Sequence, residues 1–302
     1  VRTELAGCMM AKPENIQILE KQSMLSNYAK AVAGMLPLPG AKSEALPDRV
    51  LRIENVTIDS DALAAYNRVC GLRLRNTVPA TYPFVLSFPA VMNLLVSKDF
   101  PLPAMGMVHM SNTIEQIKPI AVSDTLTIDV HAADLREHRS GLLVDLVTEI
   151  TVEGELVWRQ ASTFLRKQKT SLSGGERPEK VDNAPGADGA TPATTLKVTP
   201  KLIGKYADVS GDRNPIHISK IGAKAFGFPS VIAHGMWSAA AILGTIEGSV
   251  PDAVNYTVDF GKPVVLPAKV DVHTAKTDAG WEIALRHPKK GYTHLTATVT
   301  AR

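Results

Sequence analysis

Two side chains five residues apart, Asp212 and His217, flank an Asn-Pro pair in the string Ser-Gly-Asp-Arg-Asn-Pro-Ile-His. Asn-Pro marks a turn, so a carboxylate and an imidazole can converge on one point from its two arms. The carboxylate is normally ionised and the imidazole, with a reference pKa of about 6.5, exchanges protons at neutral pH. Together they suit general acid-base work on a bound water. A second segment follows at Ala233-His234-Gly235-Met236, where an Ala-rich apolar run suited to a buried helix begins. Amides at a helix start lack intrahelical partners and carry partial positive charge, so they can hold a carbonyl oxygen as it becomes negative. Acid, base and oxyanion donor therefore lie within a few dozen residues. An isolated Asp-x4-His is most often a surface turn held by an Asx hydrogen bond, and the completeness of the string argues against that reading here.

Tyr206 through Ala223, followed by Gly227-Phe228-Pro229 and Ile232 through Met236, resembles the signature of the MaoC-like, or type 2 (R-specific) enoyl-CoA hydratase, family of hot-dog proteins. The resemblance implies that Asp212 and His217 are catalytic, that Asn214 is the family's Asn, and that Gly235 polarises a thioester carbonyl. It further implies (R)-specific hydration of trans-2-enoyl thioesters, on coenzyme A or acyl-carrier protein, and the reverse dehydration in fatty-acid metabolism. Such a carbon-oxygen lyase needs no metal and no other cofactor. Two alternatives stay open: a hot-dog acyl-CoA thioesterase, against which the Asn-Pro-x-His string argues, and a non-catalytic acyl-thioester binding module. Asn214 is either a substrate ligand or a turn former. His234 reads as a structural or pocket-lining group of the substrate site rather than a second base.

The elements that must hold this centre follow from periodicity. Leu126 to Val130, Leu142 to Thr151 and Leu156 to Leu165 alternate aliphatic with polar residues, as half-buried antiparallel strands do; Val264 to Thr274, Trp281 to Arg286 and Tyr292 to Thr300 repeat the pattern. Turns at Arg139-Ser140-Gly141, Glu153-Gly154 and Lys289-Lys290-Gly291 join them as hairpins. A helix is predicted from about Ala233 to Glu247, its small residues Ser238 to Ala241 allowing close approach to a sheet. The chain also repeats itself. Asn112 through Ile120 and Tyr256 through Val264 share Thr, an aliphatic, an acid and Lys-Pro in register at an offset of 144, and Tyr66 precedes Tyr206 by 140. The expected fold is an α+β double hot-dog, two tandem units each with a curved antiparallel sheet wrapped around a long central helix. The expected division is a 1–48 extension, a degenerate non-catalytic unit at 49–167, a Gly/Pro/Ser-rich linker at 168–195 and a catalytic unit at 196–302. A short helix is expected around Ser26 to Leu36. The first unit lacks the Asp and His, and Tyr82, Phe84, Leu86, Phe88 and Met92 are candidates for the wall of an acyl pocket, or for ordinary core.

Composition excludes several classes. With 302 residues, 45% hydrophobic, the chain can fill two compact cores. A net charge of +3 with dispersed Lys and Arg does not suggest nucleic-acid binding, although Lys118 and Lys262 can be considered for carrier phosphates. Cys8 and Cys70 lack metal-ligand spacing and are too few for a disulfide framework, so a reduced, cytoplasmic setting is expected. No export signal or membrane span is read, the apolar run Ser230 to Ile246 being too polar and short. The remaining histidines, including His109, His131, His138, His273, His287 and His294, form no ligand cluster and default to solvated strand or loop positions. Two fused halves can pair as a hot-dog homodimer would, so either a monomer or a homodimer is expected.

Overall fold

The computed structural model describes residues 15–19, 45–175 and 182–302; the helix expected around Ser26 to Leu36 lies outside them. The first half holds β1 (Ile16–Ile18), β2 (Val50–Thr57), α1 (Ser60–Cys70), α2 (Pro83–Leu95), β3 (Val108–Gln116), β4 (Thr125–His138), β5 (Gly141–Val152) and β6 (Glu155–Lys167). The second holds β7 (Thr194–Val198), α3 (Pro200–Ser210), the short α4 (Pro215–Ile218) and α5 (Lys220–Ala225), α6 (Gly235–Gly244), β8 (Val254–Phe260), β9 (Ala268–Thr277), β10 (Gly280–Arg286) and β11 (Thr293–Ala301). Alternation dictates the strands: in β4, Leu126, Ile128 and Val130 are wholly buried and their neighbours are not. The β5–β6 hairpin turns through Glu153 and Gly154, both at positive φ, the geometry of a type I′ turn whose twist matches the strands it joins.

The eleven strands of the described residues form one sheet in the order β1-β2-β4-β5-β6-β3-β8-β11-β10-β9-β7. Apart from β1, which runs parallel to β2, this order is a palindrome about the β3–β8 seam. In that antiparallel seam Thr113 faces Thr257, the residue 144 positions later. Equivalent residues meet across an axis only when the two copies are related by a two-fold, so the duplication read from sequence is also the symmetry of the sheet. The crossing helices repeat as closely. Asp59 caps α1 and Thr199 caps α3, and each helix ends in a left-handed glycine, Gly71 and Gly211. The chain is therefore an α+β double hot-dog, with α2 and α6 as the central helices.

Both central helices are apolar nearly all round because the sheet and the other half enclose them. Ser238 to Ala241 let α6 approach the sheet closely enough for Tyr256 Oη of β8 to donate to Ala239 O at 2.7 Å. Trp237 Nε1 donates to Val69 O of the first half at 3.1 Å, and the Tyr66 and Tyr206 rings lie 6.1 Å apart, so one hydrophobic core runs through both halves. Helix α6 is shorter than its sequence suggests. Residues 232 and 233 are held extended by Ile232 N–H to Ile216 O and Ala233 N–H to Val264 O, which delays the helix start to Gly235. Likewise β9 starts at Ala268 rather than Val264, since Pro263 and Pro267 supply no N–H to a ladder and Val265 makes only an isolated bridge to Ile232. The linker composition at 168–195 conceals a tethered strap. Arg286 spends all five of its donors on it and the adjacent turn, bonding the Asp182 carboxylate, Ala184 O, Pro185 O and Gly291 O. Among the described residues no helix is long and apolar enough to cross a membrane.

Candidate active site

Gly211, at φ 73°, stops α3 and turns the chain away from the helix axis into the Asp-Arg-Asn-Pro stretch. Local side-chain bonds then fix the turn. Ser210 Oγ accepts Asp212 N–H at 3.2 Å, Asp212 Oδ1 accepts Asn214 N–H at 3.2 Å, and Asn214 Oδ1 accepts Ile216 N–H at 3.3 Å, capping α4. Asn214 is thus a turn former by its oxygen, and it lines the cavity.

The turn delivers His217 into the protein. Its Nδ1 lies 2.8 Å from Ile232 O. A carbonyl can only accept, so Nδ1 carries the proton and the neutral ring keeps its lone pair on Nε2. Burial lowers the His217 pKa, opposed by the Asp212 charge and the Ile232 bond. His234 stacks on it with ring centroids 3.7 Å apart and 26° between planes. The His234 Nε2–H donates to the Asp212 main-chain oxygen at 2.8 Å. Burial, with the His217 charge next, pushes the His234 pKa down to about 3. Its 3.9 Å approach to the Asp212 carboxylate is therefore a neutral contact at neutral pH, and the carbonyl bond is what holds it. His234 is a buried brace as well as a pocket wall.

Gly235 opens α6 directly after His234. A Cβ on Gly235 would stand 3.0 Å from Phe260 Cε1, closer than side chains comfortably approach, so the ring would have to give by a few tenths of an ångström to admit any larger residue. All five site residues read from sequence, Asp212, Asn214, His217, His234 and Gly235, line one cavity of about 360 Å³. Ligand atoms of Asp212, His217 and His234 lie within 4.8 Å of one another, spacing that suits a shared water as readily as an ion.

The cavity is built by both halves. Phe84, Phe88 and Met92 of α2 line it as anticipated; Tyr82 instead packs its ring 5.1 Å from Tyr66, and Leu86 is not part of the wall. Lys262 lines it with its ammonium 4.3 Å above the Tyr292 ring, whereas Lys118 pairs with Glu155 away from it. The solvated default for the other histidines is corrected at several positions. His273 and His294 are buried, His109 Nε2 and His131 Nδ1 are sealed from solvent, and both His109 and His294 line the cavity. Their strand periodicity gave no signal, because cavity exposure is set by packing between the halves. Cys70 is buried and its thiol pushed up to about 12, which makes it a poor nucleophile.

Fold and site together define a double hot-dog protein in which, among the described residues, one carboxylate-imidazole centre opens on a mostly apolar cavity. Comparison with known proteins narrows the class. The family described as MaoC like domain matches residues 182–300, and the FAS1-like dehydratase domain region matches 64–160. The 3-hydroxyacyl-thioester dehydratase X of Mycobacterium tuberculosis is 50% identical over 283 residues, covering 93% of this chain and 99% of that protein. A crystal structure of HtdX from the same organism superposes with a TM-score of 0.75 at 49% identity, over 84% of this chain and 100% of the other. A MaoC-like dehydratase from Phytophthora capsici shares the fold at a TM-score of 0.63 and 18% identity, over 84% and 95%. The chain belongs to the MaoC-like dehydratase family.

Proposed function

We propose that the protein catalyses reversible, (R)-specific hydration of trans-2-enoyl thioesters, the reverse being dehydration of (R)-3-hydroxyacyl thioesters, with Asp212 and His217 as its catalytic pair. The observation that carries this reading is the locked tautomer of His217, whose Nδ1–H is given to Ile232 O so that Nε2 can act as a base beside Asp212. The sequence similarity to a 3-hydroxyacyl-thioester dehydratase supports it.

In the hydration direction a water sits between the Asp212 carboxylate and His217 Nε2. As its oxygen bonds to C3, one water proton passes to this pair and the C2=C3 electrons move toward the thioester oxygen. Gly235 N–H, at the positive end of α6, stabilises that oxygen. The pair returns the proton to C2 on the same face, completing a syn addition, and no electrons are gained or lost overall. Asn214 NH2 helps to orient the substrate, while His234 holds the Asp212 main chain and the His217 ring in place. The acyl chain lies against α2 and the carrier is coenzyme A or acyl-carrier protein. The two halves supply each other's pairing surface, so the reading asks for a monomer or a dimer of such chains, in the cytoplasm.

The test is to mix purified protein with trans-2-enoyl thioesters of increasing length, following the conjugated-enoyl absorbance, product chirality and free thiol. Loss of absorbance with an (R)-3-hydroxy product is expected. Thiol release without hydration would instead identify a thioesterase, and binding without turnover a non-catalytic module.

A further inference from the structure

The most exposed members of the cavity wall, Val108, Lys167, Gly261, Lys262 and Pro263, mark where it opens. By strand register the start of β3 lies between the ends of β6 and β8, so both halves contribute to this mouth. Each bank carries a cation, Lys167 from the first half and Lys262 from the second. A further source of charge stands beside Lys262. Its ammonium lies 4.3 Å from the centre of the Tyr292 ring, and its main-chain N–H donates to Thr293 O at 3.2 Å, which holds the β10–β11 turn next to the mouth. His287 N–H to Tyr292 O and Gly291 N–H to His287 O, both at 3.0 Å, close that turn. His287 Nδ1 accepts the N–H groups of Lys289 and Lys290, each at 3.2 Å, so the main chain of these two residues is fixed while their side chains are exposed.

Four ammonium groups therefore border or flank one opening, and among the described residues none of the four is in an ion pair. Asp182, which the strap brings to the base of the same turn, is taken by Arg286, whose Nη1 also holds Gly291 O. Uncompensated positive charge at the mouth of an apolar cavity favours a ligand that is apolar at one end and anionic at the other. Gly235 stands against Phe260, and Lys262 is two residues further along the chain, roughly 7 Å in extended form. A thioester with its carbonyl at Gly235 and its arm directed along β8 thus leaves the cavity between Lys167 and Lys262. In acyl-carrier protein such an arm ends in a single phosphodiester. In coenzyme A it continues into a diphosphate and a ribose 3′-phosphate, enough negative charge for all four lysines, each a compact cation with three donors.

We propose that the β10–β11 turn is a nucleotide-phosphate site: with Lys262 on its flank, Lys289 and Lys290 hold the diphosphate and ribose 3′-phosphate of coenzyme A. This contact makes coenzyme A, rather than acyl-carrier protein, the carrier that the mouth fits. The inference rests on the enoyl-thioester reading above, which leaves the carrier open.

The test compares wild type with a Lys289→Ala/Lys290→Ala variant, which keeps both main-chain bonds to His287. A second variant, Lys276→Ala/Arg302→Ala, removes the same charge at the opposite ends of β9 and β11. Crotonyl thioesters of coenzyme A, 3′-dephospho-coenzyme A, pantetheine and acyl-carrier protein serve as substrates. The turn variant is expected to melt near wild type and to raise KM about tenfold on crotonyl-coenzyme A, with kcat little changed. The rise should be smaller on the dephospho substrate and about twofold or less on the pantetheine and carrier-protein thioesters. The second variant should stay within about twofold on all four. No rise on coenzyme A, an equal rise in both variants, or an equal rise on the pantetheine thioester overturns the proposal. An equal or larger rise on acyl-carrier protein also overturns it and gives the turn to an acidic protein partner. Should wild type turn over none of the four, the hydratase reading fails. The turn is then judged by calorimetric binding of free coenzyme A, expected about tenfold weaker in the turn variant and contradicted by equal affinity.

Discussion

The two halves share strands, crossing helices, caps and terminating glycines, and they part company between the crossing helix and the central helix. The first half takes 11 residues from Gly71 to Pro83; the second takes 23 from Gly211 to Gly235, and these hold Asp212, Asn214, His217 and His234. The added length lets the chain turn at Asp-Arg-Asn-Pro, build two short helices, return in extended form along Val264 and still enter α6. In the first half the same interval is too short for that excursion, and α2 is three residues longer than α6. One fold thus yields two arrangements: a long inter-helix segment gathers a carboxylate and two imidazoles at a helix start, and a short one leaves an apolar helix free to wall the cavity.

The comparison breaks if chemistry does not depend on the long segment. Asp212→Asn and His217→Ala should each lower kcat/KM on enoyl thioesters by roughly 10²–10⁴ while the melting transition persists. Leu74→Ala, an exposed residue in the corresponding interval of the first half, should change it by about twofold or less. Comparable losses at Leu74 and at Asp212 would show that the second half holds no privileged centre.

A second test uses acid. His234 titrates near 3 when folded and near 6.5 when unfolded, so between these values the unfolded chain binds a proton that the folded one refuses. Stability is therefore full above about pH 6.5 and declines as the pH falls toward 3. His109, at about 4 in the fold, adds to the decline over most of the same window. His234→Phe keeps a ring against His217 and removes the titrating group, at the cost of the bond to Asp212 O. Its melting temperature should sit below wild type at pH 7.5 and fall less steeply between pH 6.5 and 4.5. Parallel slopes in the two proteins would mean that His234 does not resist protonation.

Where the halves meet, the expected effect is one of selectivity. Met92 of α2 lines the cavity and is buried. Met92→Trp fills space that a long acyl chain would use, so KM for long enoyl thioesters should rise about tenfold while crotonyl turnover changes by roughly threefold or less. A uniform loss at every chain length would place the acyl tail elsewhere.

What the sequence disclosed and what it hid follow one physical line. Asp212, His217 and Gly235 were legible because their spacing encodes a local turn and a helix start, and the strands because a half-buried sheet enforces alternation. His109 and His294 were hidden because their place in the cavity depends on the β3–β8 register, between residues roughly 140 to 150 positions apart, and on a bulge in the β3–β6 pairing, between residues roughly 50 apart. The tethered strap was hidden for the same reason: nothing in its Gly and Pro content announces Arg286, about 100 residues later. The brace from His234 to the Asp212 carbonyl uses a main-chain atom, on which side-chain identity is silent.

The finest comparison lies at the seam itself, where equivalent positions carry different residues. Tyr256 donates to Ala239 O of α6, whereas Asn112, its counterpart 144 positions earlier, donates to Ser162 Oγ on the neighbouring strand at 2.9 Å. The catalytic-side helix is thus tied to the sheet by a bond that has no equivalent at the Asn112 position. Tyr256→Phe removes only the hydroxyl, and Ala239 O keeps the bond that an interior helix carbonyl makes four residues on, so the cost should be about 1 kcal/mol. In thermal melts that is a fall of roughly 2–4 °C. Because α6 is also held by Trp237 and by close packing of Ala239 and Ala240, its start should stay in place and kcat should be nearly unchanged. A tenfold loss of kcat with an unaltered melt would reverse this order of importance, making the Tyr256 bond the element that sets the height of the Gly235 amide above the substrate.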